Sequence, residues 1–249
     1  MPAVHLILIF VAGIAAGAIN SLVGSGTLIT FPTLLALGYP PVTANVSNNV
    51  GLIPGSISGV AGYRRELRGQ GILLRRLAVS SLLGGMVGAA ALLVAPAQAF
   101  RAIVPAFIAV ALILILAQPL VTARWERQTT SGHVGSFVMF GVFLTGIYGG
   151  YFGAAQGIML LAILAPRVGP SLQRANAVKL VLVGLVNVVA AIVFIAAAPV
   201  AWGAAVLIGA GALCGGYLGA RYARRLPDSA LRAVVVLVGS LALVKLLAA

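Results

Sequence analysis

Apolar runs of about 20 residues recur from one end of this chain to the other, which leaves few folds open to it. A helix needs about that length to cross the hydrocarbon layer of a bilayer, so each run is a candidate membrane span. The composition agrees. Of 249 residues 61% are hydrophobic and 8% charged, whereas roughly a quarter are charged in soluble domains. No hydrophilic stretch is long enough to form a second, soluble domain. The expectation is an all-α polytopic membrane protein, one transmembrane domain over residues 1–249.

The formal net charge of +13 raises the question of nucleic acid, and the positions of the charges answer it. Thirteen of the 16 basic residues fall in four short stretches: Arg64, Arg65, Arg68, Arg75 and Arg76; Arg124 and Arg127; Arg167 and Arg174; and Arg221, Arg224, Arg225 and Arg232. Basic short loops between apolar spans mark the cytoplasmic side of a membrane protein, so nucleic acid is not expected as a partner. The single cysteine, Cys214, allows no internal disulfide and no metal site by itself. The first residues, "MPAVHLILIFVAGIAAGA", resemble the apolar part of a signal peptide but lack its basic leader, and are expected to remain as a span.

The chain also repeats itself. "LLGGMVGAA" aligns with "ALCGGYLGA", pairing Gly84, Gly85 and Gly88 with Gly215, Gly216 and Gly219. The same shift pairs Pro96 with Pro227, Arg101 with Arg232, Asn45 with Asn176, and Ser56 with Asn187. Upstream, a slightly smaller shift pairs Gly17 with Gly146 and Gly24 with Gly153. The expected units are residues 1–123 and 133–249, joined by a cytoplasmic linker over 124–132.

Equivalent loops carry opposite charge bias. The loop 64–76 is rich in arginine, while its counterpart "IAAAPVAWGAAVL" has no charge. Loop 90–101 holds only Arg101, and its counterpart 221–232 holds four arginines. By the positive-inside rule the two units lie upside down relative to each other. Inverted repeats of this kind are found in many secondary transporters, whose substrate sites lie near the midplane between the copies. Each copy is expected to contain a glycine-rich broken-helix hairpin, 5–37 or 134–165, followed by three transmembrane helices. The hinges are expected at Gly24–Ser25–Gly26 and at Gly149–Gly150. The helices are expected over 45–62, 72–94 and 102–122, and over 175–196, 203–220 and 233–249.

The helix after each hairpin opens with polar residues. In "ANVSNNVGLIPGSISG", Asn45, Asn49, Leu52 and Ser56 share one face, and in "ANAVKLVLVGLVNVV", Asn176, Lys179, Val183 and Asn187 form the matching stripe. Asn48 is the repeat counterpart of Lys179. Ser25, Thr27 and Gln156 in the hairpins add further polar groups. The three acids, Glu66, Glu126 and Asp228, all lie in basic loops, so no carboxylate sits within a span. Cation and metal carriers normally use intramembrane acids, histidines or thiolates. A site of amides, hydroxyls, helix N-termini and one ammonium suits a small anion instead, without metal or cofactor. Two bland readings stand beside this one. Lys179, five residues from Arg174, could snorkel to the interface, and the asparagines could serve as helix–helix glue.

The stretch "AGAINSLVGSGTLITFPTLLALGYPPVTANVSNNVGLIPGSISGVAGYRR" and its echo "TGIYGGYFGAAQGIMLLAILAPRVGPSLQRANAVKLVLVG" resemble the sulfite exporter TauE/SafE family of bacterial membrane transporters. The resemblance rests on the glycine-rich first hairpin with Pro32, the small-residue "A-N" helix start, and the basic loop after Tyr63. It implies a multi-pass protein of the bacterial cytoplasmic (inner) membrane that moves sulfite, sulfoacetate or related sulfonates, mostly outward. The expectation is therefore a secondary transporter of small sulfur-containing anions working by alternating access, and not an enzyme. The expected substrate-binding residues are Asn45, Asn48, Asn49, Asn176, Lys179, Gln156, Ser25, Thr27, Ser56 and Asn187. An anion channel, an uptake carrier for another small anion and a membrane scaffold remain alternatives. The glycine-rich faces would also allow a homodimer.

Overall fold

The computed structural model describes residues 2–22, 24–126, 135–165, 168, 172–222 and 228–247. Among these, every regular element is a helix. The order is α1 (Ala3–Leu22), α2 (Thr27–Ala36), α3 (Pro41–Gly62), α4 (Gly71–Val94), α5 (Ala97–Glu126), α6 (Ser136–Tyr151), α7 (Gln156–Leu164), α8 (Leu172–Ala197), α9 (Trp202–Tyr222) and α10 (Asp228–Leu247). Helices α1, α4, α5, α8 and α9 contain stretches long and apolar enough to cross a membrane. Large apolar side chains such as Ile7, Ile113, Leu116, Ile192 and Val206 lie exposed on the outside, as a lipid-facing surface requires. The protein is a multi-pass membrane protein.

The element boundaries follow local chemistry. Pro41 occupies the first position of α3, where a missing N–H costs nothing and φ is already helical. Helix α1 stops because Gly24 adopts φ +79 and its N–H bonds back to Ile19 O at 3.2 Å. Helix α6 stops in the same way, with Gly153 at φ +79 and its N–H on Tyr148 O at 3.0 Å. In both cases the left-handed glycine itself donates to the carbonyl five residues back, closing the helix end. The second hinge therefore lies at Phe152–Ala155 and not at Gly149–Gly150, which stay inside α6. Those two glycines serve packing instead. A Cβ on Gly149 would run into the Gln156 amide, and one on Gly150 into the Gly85 carbonyl.

Helix α2 has 10 residues and α7 has 9, about 15 Å or less at 1.5 Å per residue, half of what a span needs. Both hairpins thus leave helix ends inside the bundle. Gly24, Ser25 and Gly26 are buried, as are Phe152, Ala154 and Ala155. Irregular backbone at such depth persists only where protein surrounds it or a cavity adjoins it.

Helix α1 packs along α9, and α6 along α4. Helix α3 packs against α9 and α8, and α8 against α4. Helices α5 and α10 touch each other and cover α7 and α2 respectively. Apart from a minor contact of α3 with α5, these packed pairs read the same when α1–α5 are exchanged for α6–α10. Individual contacts match too. A Cβ on Gly84 would strike Phe143 O and one on Gly215 would strike Ile14 O; for Gly88 and Gly219 the carbonyls are those of Ile147 and Ala18. Backbones that approach this closely leave no room for a side chain, which accounts for the small residues on both seams. Of the expected loop landmarks, Arg127, Arg167, Arg224, Arg225 and Pro227 lie outside the described residues, as does most of the 124–132 linker.

Candidate functional site

The site is built where the two hairpin breaks meet. Gly24 in the first break lies against Gly157 at the start of α7. Gly157 N–H donates to Gly24 O at 3.3 Å, and a Cβ on Gly157 would sit 2.6 Å from Gly24 Cα. Any larger residue at either position would push the breaks apart. Helices α3 and α8 run beside this junction, each carrying its asparagine in its second turn.

Those two asparagines do equivalent work in opposite halves. Asn45 Nδ2 donates to Tyr151 O at 2.9 Å, the last carbonyl of α6. Asn176 Nδ2 donates to Ser21 O at 2.9 Å, near the end of α1. A helix end leaves its last carbonyls without intrahelical partners, and inside a bilayer no water can reach them. Each amide therefore closes the broken helix of the other half. For Asn45 and Asn176 the glue reading explains the Nδ2 group, while Asn176 Oδ1 is buried without a partner.

Lys179 stands on α8 one turn beyond Asn176. It is 0% exposed, so it does not snorkel. Its Nζ donates to Asn20 O and Leu22 O, each at 3.4 Å, at the carbonyl end of α1. The negative end of the α1 dipole favours a cation at that point. An ammonium has three donors, so with two long bonds to carbonyls one N–H is left for another group. Among the described residues no carboxylate pairs with it, and no cluster of three or more His, Cys, Asp or Glu side chains could hold a metal ion. Around the same junction Ser25 Oγ and Gln156 Nε2 are buried without hydrogen-bond partners. A buried donor left unpaired costs about 1–3 kcal/mol, so each break holds an unsatisfied group, and Lys179 lies at the junction between the breaks. The chemistry of the junction suits a small anion.

The second break is different in character. Phe152 is ringed by Phe31 at 5.1 Å, Phe107 at 5.7 Å and Phe100 at 6.3 Å between centroids. Tyr148 and Tyr151 flank Phe107 at 5.5 and 5.7 Å, and the Tyr148 hydroxyl donates to Ala154 O at 2.6 Å. Edge-to-face and stacked rings of this kind fill space tightly and offer no charge.

The remaining expected residues are placed as follows. Asn48 turns toward its own hairpin, with Nδ2 donating to Thr27 Oγ1 at 3.3 Å and Oδ1 accepting a short bond from Thr30 Oγ1. Asn49 Nδ2 donates to Asn187 Oδ1 at 3.4 Å, bridging α3 and α8. Ser56 Oγ bonds to Leu52 O at 3.2 Å within its own helix. The ten residues thus divide. Lys179 and Asn176 reach the first break, to which Ser25 belongs, while Gln156 directly follows the second break with its amide against Gly149. Asn48 and Thr27 lock α2 to α3, Asn45 closes the second break, and Asn49, Asn187 and Ser56 lie along the α3–α8 seam.

Thr30 and Ser47 were not singled out from the sequence. Thr30 lies one turn after Thr27 on α2, a spacing that would have marked it as a second hydroxyl on that face. Ser47 Oγ accepts from Ala201 N at 2.8 Å, just before α9 starts, and no local pattern signals that long-range bond.

The profile of the family described as "Sulfite exporter TauE/SafE" matches residues 9–246. The chain belongs to that family. It is 31% identical over 250 residues to a "Probable membrane transporter protein ORF9" of Sinorhizobium sp, covering 99% of this chain and 94% of that one. It is 27% identical to the "Probable membrane transporter protein YfcA" of Escherichia coli strain K12, over 97% of this chain and 88% of the relative. A "Probable membrane transporter protein" of Haemophilus influenzae is 25% identical, over 93% and 90%. No solved structure matches the chain. The matched residues include both hairpins and both polar helices.

Proposed function

We propose that this protein is a secondary transporter, resident in the bacterial inner membrane, that moves a small sulfur-containing oxyanion such as a sulfonate or sulfite outward. In this reading residues 1–123 and 133–249 are inverted halves, and alternating access opens their shared junction first to one side and then to the other. The single observation that carries it is Lys179, fully buried where the two hairpin breaks meet, with its Nζ on the carbonyl end of α1; unpartnered Ser25 Oγ and Gln156 Nε2 belong to the two breaks on either side. A sulfonate or sulfite presents oxygen acceptors and no carbon-bound donors, so an ammonium, a hydroxyl and an amide N–H₂ complement it. The membership in the TauE/SafE family and the printed names of the relatives support transport as the activity. The exchange-symmetric packing of α1–α5 and α6–α10 supports two equivalent halves.

Purified protein titrated calorimetrically with sulfoacetate, sulfite and taurine tests the ligand class, and substrate counterflow in proteoliposomes tests the mechanism. Saturable binding of one of these anions, lost by about tenfold or more in Lys179→Ala while the variant still elutes as a folded protein, is the expected result. Wild-type affinity in Lys179→Ala would overturn the assignment of the site. Saturable binding without counterflow would replace the carrier by a channel.

A further inference from the structure

A second polar feature lies away from the junction, at the end of the bundle where α3 and α9 finish. A cavity of about 630 Å³ opens there, lined by Ala61, Gly62, Arg64, Arg65, Glu66, Tyr217, Ala220 and Arg221. Its floor exists because small residues meet: a Cβ on Gly62 would collide with Ala220 Cβ, so the helices touch and then diverge around the space above. Arg64 and Arg65 stand exposed on one wall and Arg221 on the other. Arg221 is oriented in advance. One of its N–H groups donates to the Tyr217 hydroxyl at 2.6 Å, and the guanidinium lies over the Tyr217 ring at 5.9 Å. Three guanidiniums against one carboxylate leave the cavity cationic, with planar donors that match phosphate oxygens.

The position along α9 says which phosphate. Arg221 closes the stretch Trp202–Arg221, which is long and apolar enough to span the hydrocarbon, so the cavity sits at headgroup depth. Tyr217 is half exposed, as are Leu213 and Leu218. These continue the cavity wall into the lipid-facing side of α9, where acyl chains would lie against apolar side chains. A soluble anion would have no use for that apolar extension. An aromatic ring at the interface next to arginines is the arrangement found at headgroup level.

We propose that this cavity binds the phosphodiester headgroup of an anionic phospholipid, with Arg64, Arg65 and Arg221 on the phosphate and its acyl chains along Leu213, Tyr217 and Leu218. Glu66 bounds the same cavity and would disfavour occupants with excess negative charge. The site is separate from the transport reading and stands or falls without it.

The test uses the full chain in detergent, titrated with phosphatidylglycerol, with phosphatidylcholine and with inorganic phosphate, and followed by thermal unfolding and by native mass spectrometry of retained lipid. Phosphatidylglycerol should raise the unfolding temperature and remain bound, and the zwitterionic lipid should not. In the triple variant Arg64→Gln, Arg65→Gln, Arg221→Gln, half-saturation should require at least about tenfold more phosphatidylglycerol. Arg221→Lys alone, which keeps the charge but loses the planar fork, should give a smaller shift in the same direction and serves if the triple variant does not fold. Equal stabilisation by phosphatidylcholine, unchanged affinity in these variants, or full reproduction of the effect by inorganic phosphate would each overturn the proposal.

Discussion

The two hairpin breaks share a backbone plan and differ in everything placed around it. Both end a helix on a left-handed glycine, Gly24 or Gly153, and both have a carbonyl closed by an asparagine from the opposite half. At the first break the neighbouring side chains are Lys179, Asn176 and Ser25, all buried, with Ser25 Oγ and Asn176 Oδ1 left without partners. At the second they are Gln156 and the rings of Phe31, Phe100 and Phe107 packed around Phe152. The repeat counterpart of Lys179 is Asn48, and that amide is spent on Thr27 and Thr30 rather than offered across the junction. One break thus holds the charge, and rings fill most of the other.

This contrast can be broken by single substitutions. The largest effect is expected from Lys179→Ala, which removes the only charged side chain that the described residues bring to the first break. Anion binding should fall below detection by calorimetry while the folded state survives, because the loss of a cation held by only two long bonds also relieves its burial cost. The matching change at the repeat counterpart of Lys179, Asn48→Ala, should leave binding within a few fold and lower thermal stability instead. If the two variants behaved alike, the asymmetry would carry no functional meaning.

Next in size is Gly157→Ala. Its Cβ would meet Gly24 Cα at 2.6 Å, forcing the breaks apart at a cost of about 1–3 kcal/mol, typical of overpacking. Chemical denaturation should register the loss, and counterflow should drop more steeply than stability.

Asn45→Ala and Asn176→Ala each uncover a buried helix-end carbonyl, so each should cost about 1–3 kcal/mol in unfolding experiments. Only Asn176→Ala should also weaken anion binding, since only Asn176 shares its break with Lys179. The smallest effect belongs to the Asn49–Asn187 bridge at 3.4 Å. A double-mutant cycle there should return a coupling near 0.6 kcal/mol, the usual size for a hydrogen bond between membrane helices. A coupling of several kcal/mol would mean that this seam, and not the first break, holds the chain's central polar interaction.

Much of the fold was legible because hydrophobic length and helical period are local properties. The expected helix 72–94 is observed as Gly71–Val94, and the helix 175–196 lies within Leu172–Ala197. The expected helix 102–122 is observed as the longer Ala97–Glu126, since hydropathy marks the apolar part of a helix and not its polar turns. The second hinge was misplaced at Gly149–Gly150 because two adjacent glycines suggest a break. Yet the repeat alignment had already paired Gly24 with Gly153, and that pair, not the glycine doublet, carries the left-handed turns. Glycine in a membrane helix is used for close approach as readily as for bending, and only the neighbours tell which.

By itself, then, the sequence determined the class: an all-helical membrane chain of apolar spans, two broken hairpins, and polar stripes without an acid. Those follow from hydropathy, spacing and composition, which need no knowledge of partners. The tertiary structure decided what each polar residue does. It buried Lys179 against the carbonyl end of α1 rather than letting it reach the interface, turned Asn45 and Asn176 into closures for opposite helices, and directed Asn48 back into its own hairpin. The physical reason is that an amide or ammonium in a bilayer must find its partner within the protein, and the partners of these residues lie as far as 159 positions away in the chain.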